Sequence, residues 1–255
     1  MKPRLTNILA ILSKKKKVTV SELSAALEIS EVTVRKDLSQ LEEKGLLKRE
    51  HGYATMITSD DVSNRLSFNY ELKRQIAQQA LITIKDGETV MVESGSCCAL
   101  LADEIVSNKR DVTIITNSVF IATFVRNKAG SHVILLGGEY QNESQVMVGP
   151  LIKICAANFH VEKFFIGTDG FNEYGAMSGD LMRAEAVRNM SENAQQTIIL
   201  TESAKFKHTG VVPLIPYERI SKIYTDDQIE DTMIQKLEAR NIAIQINKLR
   251  PSRIS

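Results

Sequence analysis

The 255-residue sequence predicts an α/β protein of two parts: an N-terminal winged helix-turn-helix and a C-terminal, mainly parallel α/β domain. Three observations predict it. Helix, short strand, helix, tight turn, helix and hairpin patterns follow one another within the first 57 residues. Beyond a polar, turn-rich stretch, continuous apolar runs alternate with helical periods. Charge is also divided: up to Ala54, 11 Lys and Arg face 7 Asp and Glu, whereas the remainder carries 21 against 24. A basic first fifth on a mildly acidic body suits a polyanion-binding module joined to a different one.

Leu5, Ile8, Leu9 and Leu12 recur at i, i+3, i+4, i+7, so residues 3–13 read as an amphipathic helix opened by Pro3. Val18-Thr19-Val20 is β-prone. Ser21 is the expected N-cap of a second helix that turns Leu23, Ala26 and Leu27 inward. Glu28-Ile29-Ser30 is a tight turn, and Ser30 caps a third helix that buries Val34, Leu38 and Leu41 and ends near Gly45. Residues 46–49 and 53–57, joined by Glu50-His51-Gly52, form a candidate wing.

In such an arrangement the second helix braces the third, whose first half can enter a major groove. Ser30 opens that half, and Glu31, Val32, Thr33, Arg35 and Lys36 lie off its buried face. Val32 and Thr33 suit a thymine methyl, Arg35 or Lys36 a guanine or phosphate. On the wing, Lys48, Arg49 and His51 suit phosphate or minor-groove contacts. The competing reading of this segment is a small helical protein-interaction domain.

The domains are expected at 1–57 and 70–255, with 58–69 as linker. In the larger one a helix over 70–84 precedes strand candidates at 89–93, 112–116, 133–136, 164–167, 197–200, 211–214 and 220–225. Helical patterns at 97–106, 118–127, 151–158, 181–193 and 229–240 separate them. Ligands of such sheets bind beyond the carboxyl ends of the strands. There Glu93 leads into Ser94-Gly95-Ser96-Cys97-Cys98, Thr116 into Asn117-Ser118, and Leu136 into Gly137-Gly138. Ile166 leads into Gly167-Thr168-Asp169-Gly170, and Leu200 into Thr201-Glu202-Ser203-Ala204-Lys205. Gly95-Ser96 opening a helix would aim backbone N–H groups and a hydroxyl at an anion, and Lys205 would add a charge. A Gly-Gly pair alone is usually a turn and Thr-Asn-Ser alone usually a cap; five such loops at successive strand ends point to a ligand.

The motifs resemble those of the DeoR family of bacterial repressors. Val20-Ser21-Glu22-Leu23, Ile29 to Leu38, Leu41 to Arg49 and His51-Gly52 resemble its N-terminal motif, with Tyr53 where the family usually has a second glycine. The strand-end loops, together with Val148-Gly149-Pro150 and Glu202-Ser203-Ala204-Lys205-Phe206, resemble its sensor domain. Within the family the chain is most similar to a YciT-type branch, through Ser59-Asp60-Asp61-Val62, residues 69–74 and Asp180-Leu181-Met182-Arg183. The resemblance implies a sensor fold akin to sugar-phosphate isomerases and a phosphorylated sugar or related anionic metabolite as effector. The expected effector-binding residues are Glu93, Gly95, Ser96, Cys97, Asn117, Ser118, Gly137, Gly138, Asp169, Arg183 and Lys205. Cys97 and Cys98 stand where relatives carry threonines, and Arg183-Ala184 where many carry Glu-Ala, so a ligand with additional negative charge is expected if Arg183 faces the site.

Other classes fit less of the sequence. An isomerase-like enzyme would use Glu93, Asp169 and Lys205 as acid–base groups, but it has no need of a DNA-reading helix. A ligand-independent DNA-binding protein leaves the polar strand ends unexplained. The three cysteines and four histidines form no metal-ligand pattern, so neither metal nor cofactor is expected. No apolar run approaches the roughly 18 residues of a membrane span, and a cytoplasmic protein is expected. Helix-turn-helix readers bind paired half-sites, so the expected partners are double-stranded operator DNA, the metabolite and further copies of the chain, as dimer or tetramer.

Overall fold

The computed structural model describes residues 3–43, 46–50, 52–55, 62–128 and 132–247. The chain divides into two compact units, 1–71 and 72–255. The expected helix terminus at Gly45, the wing residue His51 and the linker residues 58–61 lie outside the described residues.

The first unit contains α1 (Pro3–Lys15), β1 (Lys17–Thr19), α2 (Val20–Leu27), α3 (Glu31–Glu43), β2 (Lys48–Glu50), β3 (Tyr53–Thr55) and α4 (Val62–Ser67). Its three strands pair antiparallel in the order β1-β3-β2. Leu5, Ile8, Leu9 and Leu12 of α1 meet Leu23, Val34, Leu38 and Leu41 in a buried core, as the helical spacing predicts. Arg4 holds Asp37, which is 3% exposed, through two hydrogen bonds, tying α1 to α3. Thr19, not Ser21, caps α2: its hydroxyl accepts from the Glu22 N–H, and Glu22 reaches back to the Thr19 N–H at 2.8 Å. Such a reciprocal box satisfies two orphan donors, which Ser21 two residues later would not. Glu28 then takes a left-handed conformation (φ 52°) that ends α2 abruptly. Within the span read as linker, α4 is helical and packs on α1.

α5 (Tyr70–Leu81) contains the boundary between the units. The second unit continues with β4 (Thr89–Val92), α6 (Ser96–Asn108), β5 (Thr113–Thr116), α7 (Val119–Val125) and β6 (His132–Leu135). Next come β7 (Glu139–Gln141), β8 (Val146–Val148), α8 (Pro150–Ala156), β9 (Val161–Ile166), β10 (Gly170–Phe171) and β11 (Gly175–Ser178). α9 (Leu181–Ser191), β12 (Ala194–Leu200), a 3-10 turn (Ser203–Lys207), β13 (Val212–Pro216), β14 (Ile220–Asp226), α10 (Asp231–Glu238) and β15 (Ala243–Asn247) complete it.

Seven strands form one wholly parallel sheet in the order β15-β14-β12-β9-β4-β5-β6. Its central strands, such as Phe164-Phe165-Ile166 in β9 and Val90-Met91-Val92 in β4, are apolar on both faces because helices cover both. The run expected as a sheet strand at 211–214 lies elsewhere: β13 pairs antiparallel with β11 in a small three-stranded sheet. β7 and β8 form a hairpin, and Gly138 permits it, since a Cβ there would lie 2.4 Å from the Val148 carbonyl oxygen.

Candidate functional site

On α3, the Ser30 hydroxyl accepts from the Thr33 N–H at 3.3 Å and meets the Thr33 hydroxyl at 2.9 Å, so Ser30 is the N-cap expected of it. Beyond the cap, Val32 is 73% exposed, and Arg35 and Lys36 are exposed beside it. The Arg35 guanidinium rests on Glu31 at 2.6 Å. An exposed valine next to two cations, on a helix whose opposite face is fully buried, is a surface suited to a base edge and a phosphate together.

The wing residues differ among themselves. Lys48 is exposed, whereas Arg49 is half-buried and turned back onto α3, bonding the Ser39 hydroxyl and giving its N–H to Glu42 at 2.9 Å. Arg49 therefore locks the wing to the helix. Gly52 (φ 81°) takes the left-handed conformation of the wing turn, so Tyr53 is free to extend into β3. There its ring carries the Lys17 ammonium 3.5 Å from the centroid.

In the second unit the polar groups gather where the parallel strands end. Glu93, just past β4, is buried and fully engaged: one oxygen accepts the N–H groups of Gly95 (2.8 Å) and Gly167 (3.0 Å), the other the Ser94 hydroxyl (2.7 Å). It thereby joins the loops that follow β4 and β9. Gly95 backs onto Gly167 so closely that a Cβ would lie 3.1 Å from the Gly167 Cα. α6 starts immediately afterwards, and Gly95 offers no side chain to cap the N–H groups of its first turn. Ser96 is half-buried at that opening.

Cys97 and Cys98 lie inside, as free thiols. Burial pushes the Cys97 thiol up to about 12, against the pull of Lys73, and raises Cys98 further from reactivity. Lys73 is the functional candidate that sequence reasoning missed. It projects from α5 into the same cluster, 5% exposed, with its ammonium 3.3 Å from the Glu202 carboxylate. Burial lowers the Lys73 pKa, opposed by Glu202. The available signal was its place on the apolar face of α5, in line with Ile76, Ala77 and Ala80.

Beyond β12, Glu202 opens the turn that carries Lys205. The Ser203 N–H and hydroxyl are anchored on Asp226, at the end of β14, at 2.7 and 2.6 Å. Lys205 is half-buried, and its ammonium has no ion-pair partner among the described residues. Cys97, Lys73, Glu202 and Lys205 are thus brought within electrostatic reach of one another.

Asp169 lies on the next segment and accepts the Gly179 N–H at 2.9 Å, and Arg183 follows in the first turn of α9. The residues beyond β5 and β6 are occupied differently. Asn117 gives its amide to the Met147 carbonyl at 2.9 Å, and Ser118 caps α7, which fastens the β7–β8 hairpin. Gly137 is exposed beside Gly138 at the base of that hairpin. The Asn117 Oδ1 is buried with no hydrogen-bond partner.

A braced, exposed reading helix with its wing, carried by a chain whose other unit is a parallel sheet rimmed with polar loops, defines a helix-turn-helix DNA-binding transcription regulator. Two family models match, the DeoR-like helix-turn-helix domain over residues 4–60 and the DeoR C terminal sensor domain over residues 68–227. The chain belongs to the DeoR family. The HTH-type transcriptional regulator GolR of Listeria innocua is 28% identical over 248 residues, spanning 95% of this chain and 97% of its own. The lactose phosphotransferase system repressor of Streptococcus mutans is 29% identical over 241 residues, spanning 92% and 95%. Among solved structures, a ribose 5-phosphate isomerase A from Methanocaldococcus jannaschii matches 54% of this chain and 55% of its own, at 19% identity and a TM-score of 0.40. No helix among the described residues is long and apolar enough to cross a membrane.

Proposed function

We propose that this regulator is a cytoplasmic repressor of a metabolic operon whose operator affinity is set by a phosphorylated sugar or related anionic metabolite. Residues 1–57 bind DNA, 58–69 link, and 70–255 sense. Val32, Thr33, Arg35 and Lys36 read the operator from a helix opened by Ser30. Lys48 and His51 contact phosphate, and Arg49 holds the wing in place for them. The effector's anionic group lies at the start of α6, against the first-turn N–H groups, the Ser96 hydroxyl and the Lys205 ammonium. Gly95 and Cys97 shape that pocket, while Glu93 and Asp169 hold its loops.

The carrying observation is that Lys205 has no ion pair among the described residues, while the acids grouped with it, Glu202 and Asp226, are engaged by the Lys73 ammonium and by the Ser203 N–H and hydroxyl. The local field is thus left for an outside anion. Loop hydrogen bonds leave Glu93 and Asp169 ill placed as proton-transfer groups, which supports a sensor rather than an enzyme. The remaining expected contacts, Asn117, Ser118, Gly137 and Gly138, support the rim through the hairpin.

The protein acts as a homo-oligomer on paired half-sites, and ligand shifts the population between DNA-competent and incompetent forms. Gel-shift competition on the protein's own upstream DNA with a panel of phosphorylated sugars tests this. An effective sugar phosphate should lose its influence in Lys205→Met, while DNA binding itself persists. Unchanged ligand response in that variant would remove Lys205 from the site.

A further inference from the structure

Arg183 is a cation that the fold satisfies only in part, through an ion pair with Asp180 at 3.8 Å. Its side chain is only 13% exposed, and its guanidinium donates no hydrogen bond to any described residue. The Nε is buried outright with no partner. The nearest acid, Asp180, places Oδ1 3.8 Å from that Nε, beyond hydrogen-bonding distance, and the same oxygen already accepts the Arg183 backbone N–H at 2.7 Å. One oxygen of Asp169, the next acid along, accepts the Gly179 N–H.

Other arginines of this unit find acceptors: Arg74 has Glu104, Arg188 the Pro213 carbonyl and Arg219 the Ser191 carbonyl. A guanidinium carries five donors in a rigid fork and keeps its charge, and here the Nε is shut away without an acceptor, a donor left for something else to meet.

Its location says what that is. Arg183 follows the Gly179-Asp180 turn, which Asp169 holds, and Asp169 is two residues beyond Gly167. Two residues span at most roughly 7 Å, and Gly167 backs onto Gly95 at the opening of α6. The turn that leads into Arg183 is therefore tied, through Asp169, to the loop that backs onto the α6 opening.

We infer that Arg183 receives a second anionic group of the effector, which makes the ligand a metabolite with two anionic ends. This rests on the reading that a first anionic group lies at α6 and Lys205. The second group is a carboxylate or another phosphate; both offer paired oxygens that match the guanidinium fork. A sugar hydroxyl would satisfy a donor but add nothing to the charge compensation that Asp180 gives at 3.8 Å.

Calorimetric titration of the full chain with matched pairs tests the inference: glucose 6-phosphate against 6-phosphogluconate, and fructose 6-phosphate against fructose 1,6-bisphosphate. The doubly anionic member of at least one pair should bind at least tenfold more tightly. Arg183→Met should reduce that preference to within twofold, chiefly by weakening the doubly anionic member. The pair showing the preference distinguishes carboxylate from phosphate. Equal binding within both pairs, or a preference that survives Arg183→Met, overturns the role of Arg183 and leaves the anion at α6 standing. Binding of none of the four overturns both. Without ligand, Arg183→Met should melt at or above the wild-type temperature, because the guanidinium it removes donates no hydrogen bond to any described residue. A fall of several degrees would show a structural pair with Asp180 and overturn the inference.

Discussion

The two units handle charge in opposite ways. In the DNA-binding unit the cations proposed to work, Arg35, Lys36 and Lys48, stand in solvent, and the one deeply buried ion among the described residues, Asp37, joins two helices. In the sensor unit the working groups are inside: Lys73 and Glu202 form a buried pair, and Arg183 and Lys205 are partly covered. Exposed cations suit a polyanion that arrives with its own counterion atmosphere and is read from outside. Enclosed ones suit a small ligand that must be stripped of water to be recognised. The lesson is that removing an exposed cation of the first unit should alter affinity alone, whereas breaking the buried Lys73–Glu202 pair of the second should alter stability.

The sharpest way to break that contrast is Lys73→Met, which leaves Glu202 buried without its cation. It should cost the sensor unit about 3–5 kcal/mol, read by urea denaturation. Lys73→Met combined with Glu202→Leu should recover much of the loss. A small effect of the single substitution would mean that water reaches the pair. Next in size, Arg35→Ala should weaken operator binding by about 1–3 kcal/mol, measured by fluorescence anisotropy, with the melting temperature nearly unchanged. Lys36→Ala in the same assay should reduce the salt dependence by about one phosphate contact.

A pH titration probes the interior again. The Cys97 pKa is raised in the folded chain to about 12, so folding favours the neutral thiol. Its stabilising contribution is complete below the unfolded thiol's pKa near 9 and is lost as pH rises from there towards 12. Cys97 should account for a fall of about 1.4 kcal/mol per pH unit over that window, and Cys97→Ser should remove that share while leaving the one due to Cys98, which burial also raises. The smallest effect belongs to the surface: Glu31→Gln frees Arg35 from an exposed i,i+4 pair and should cost about 0.5 kcal/mol or less, measured by thermal melting.

The units also differ in how far they could be read in advance. The winged helix is contiguous, and its cores and caps follow local spacing, so its elements and the Ser30 cap are legible from residues 3–55. The exception, Thr19 rather than Ser21 at the start of α2, turns on a box already visible as Thr19-x-x-Glu22. In the sensor unit the alternation of apolar runs and helical periods identifies the parallel sheet. Pairing partners are not local, however. Val212–Pro216 is apolar enough for the main sheet, yet it pairs with β11 because a turn at Lys207 diverts the chain. The hairpin strands β7 and β8 have only three residues each and are partly exposed, too short for a period to register. At the rim, residue type identifies polar loops but not what each oxygen does. Glu93 and Asp169 read as ligand contacts because nothing local shows that backbone N–H groups have already claimed them. Lys73 is far in sequence from Glu202, and only its unusual place on an apolar helix face hints at the pair.

One carboxylate oxygen of Glu93 accepts N–H groups from two loops that belong to different strands. A cradle closed in this way is assembled before any ligand arrives, so binding there would require little loop ordering and little loss of backbone freedom. An effector bound as proposed would then add charge to a rigid rim, and ligands of equal shape but different charge should differ in affinity for it.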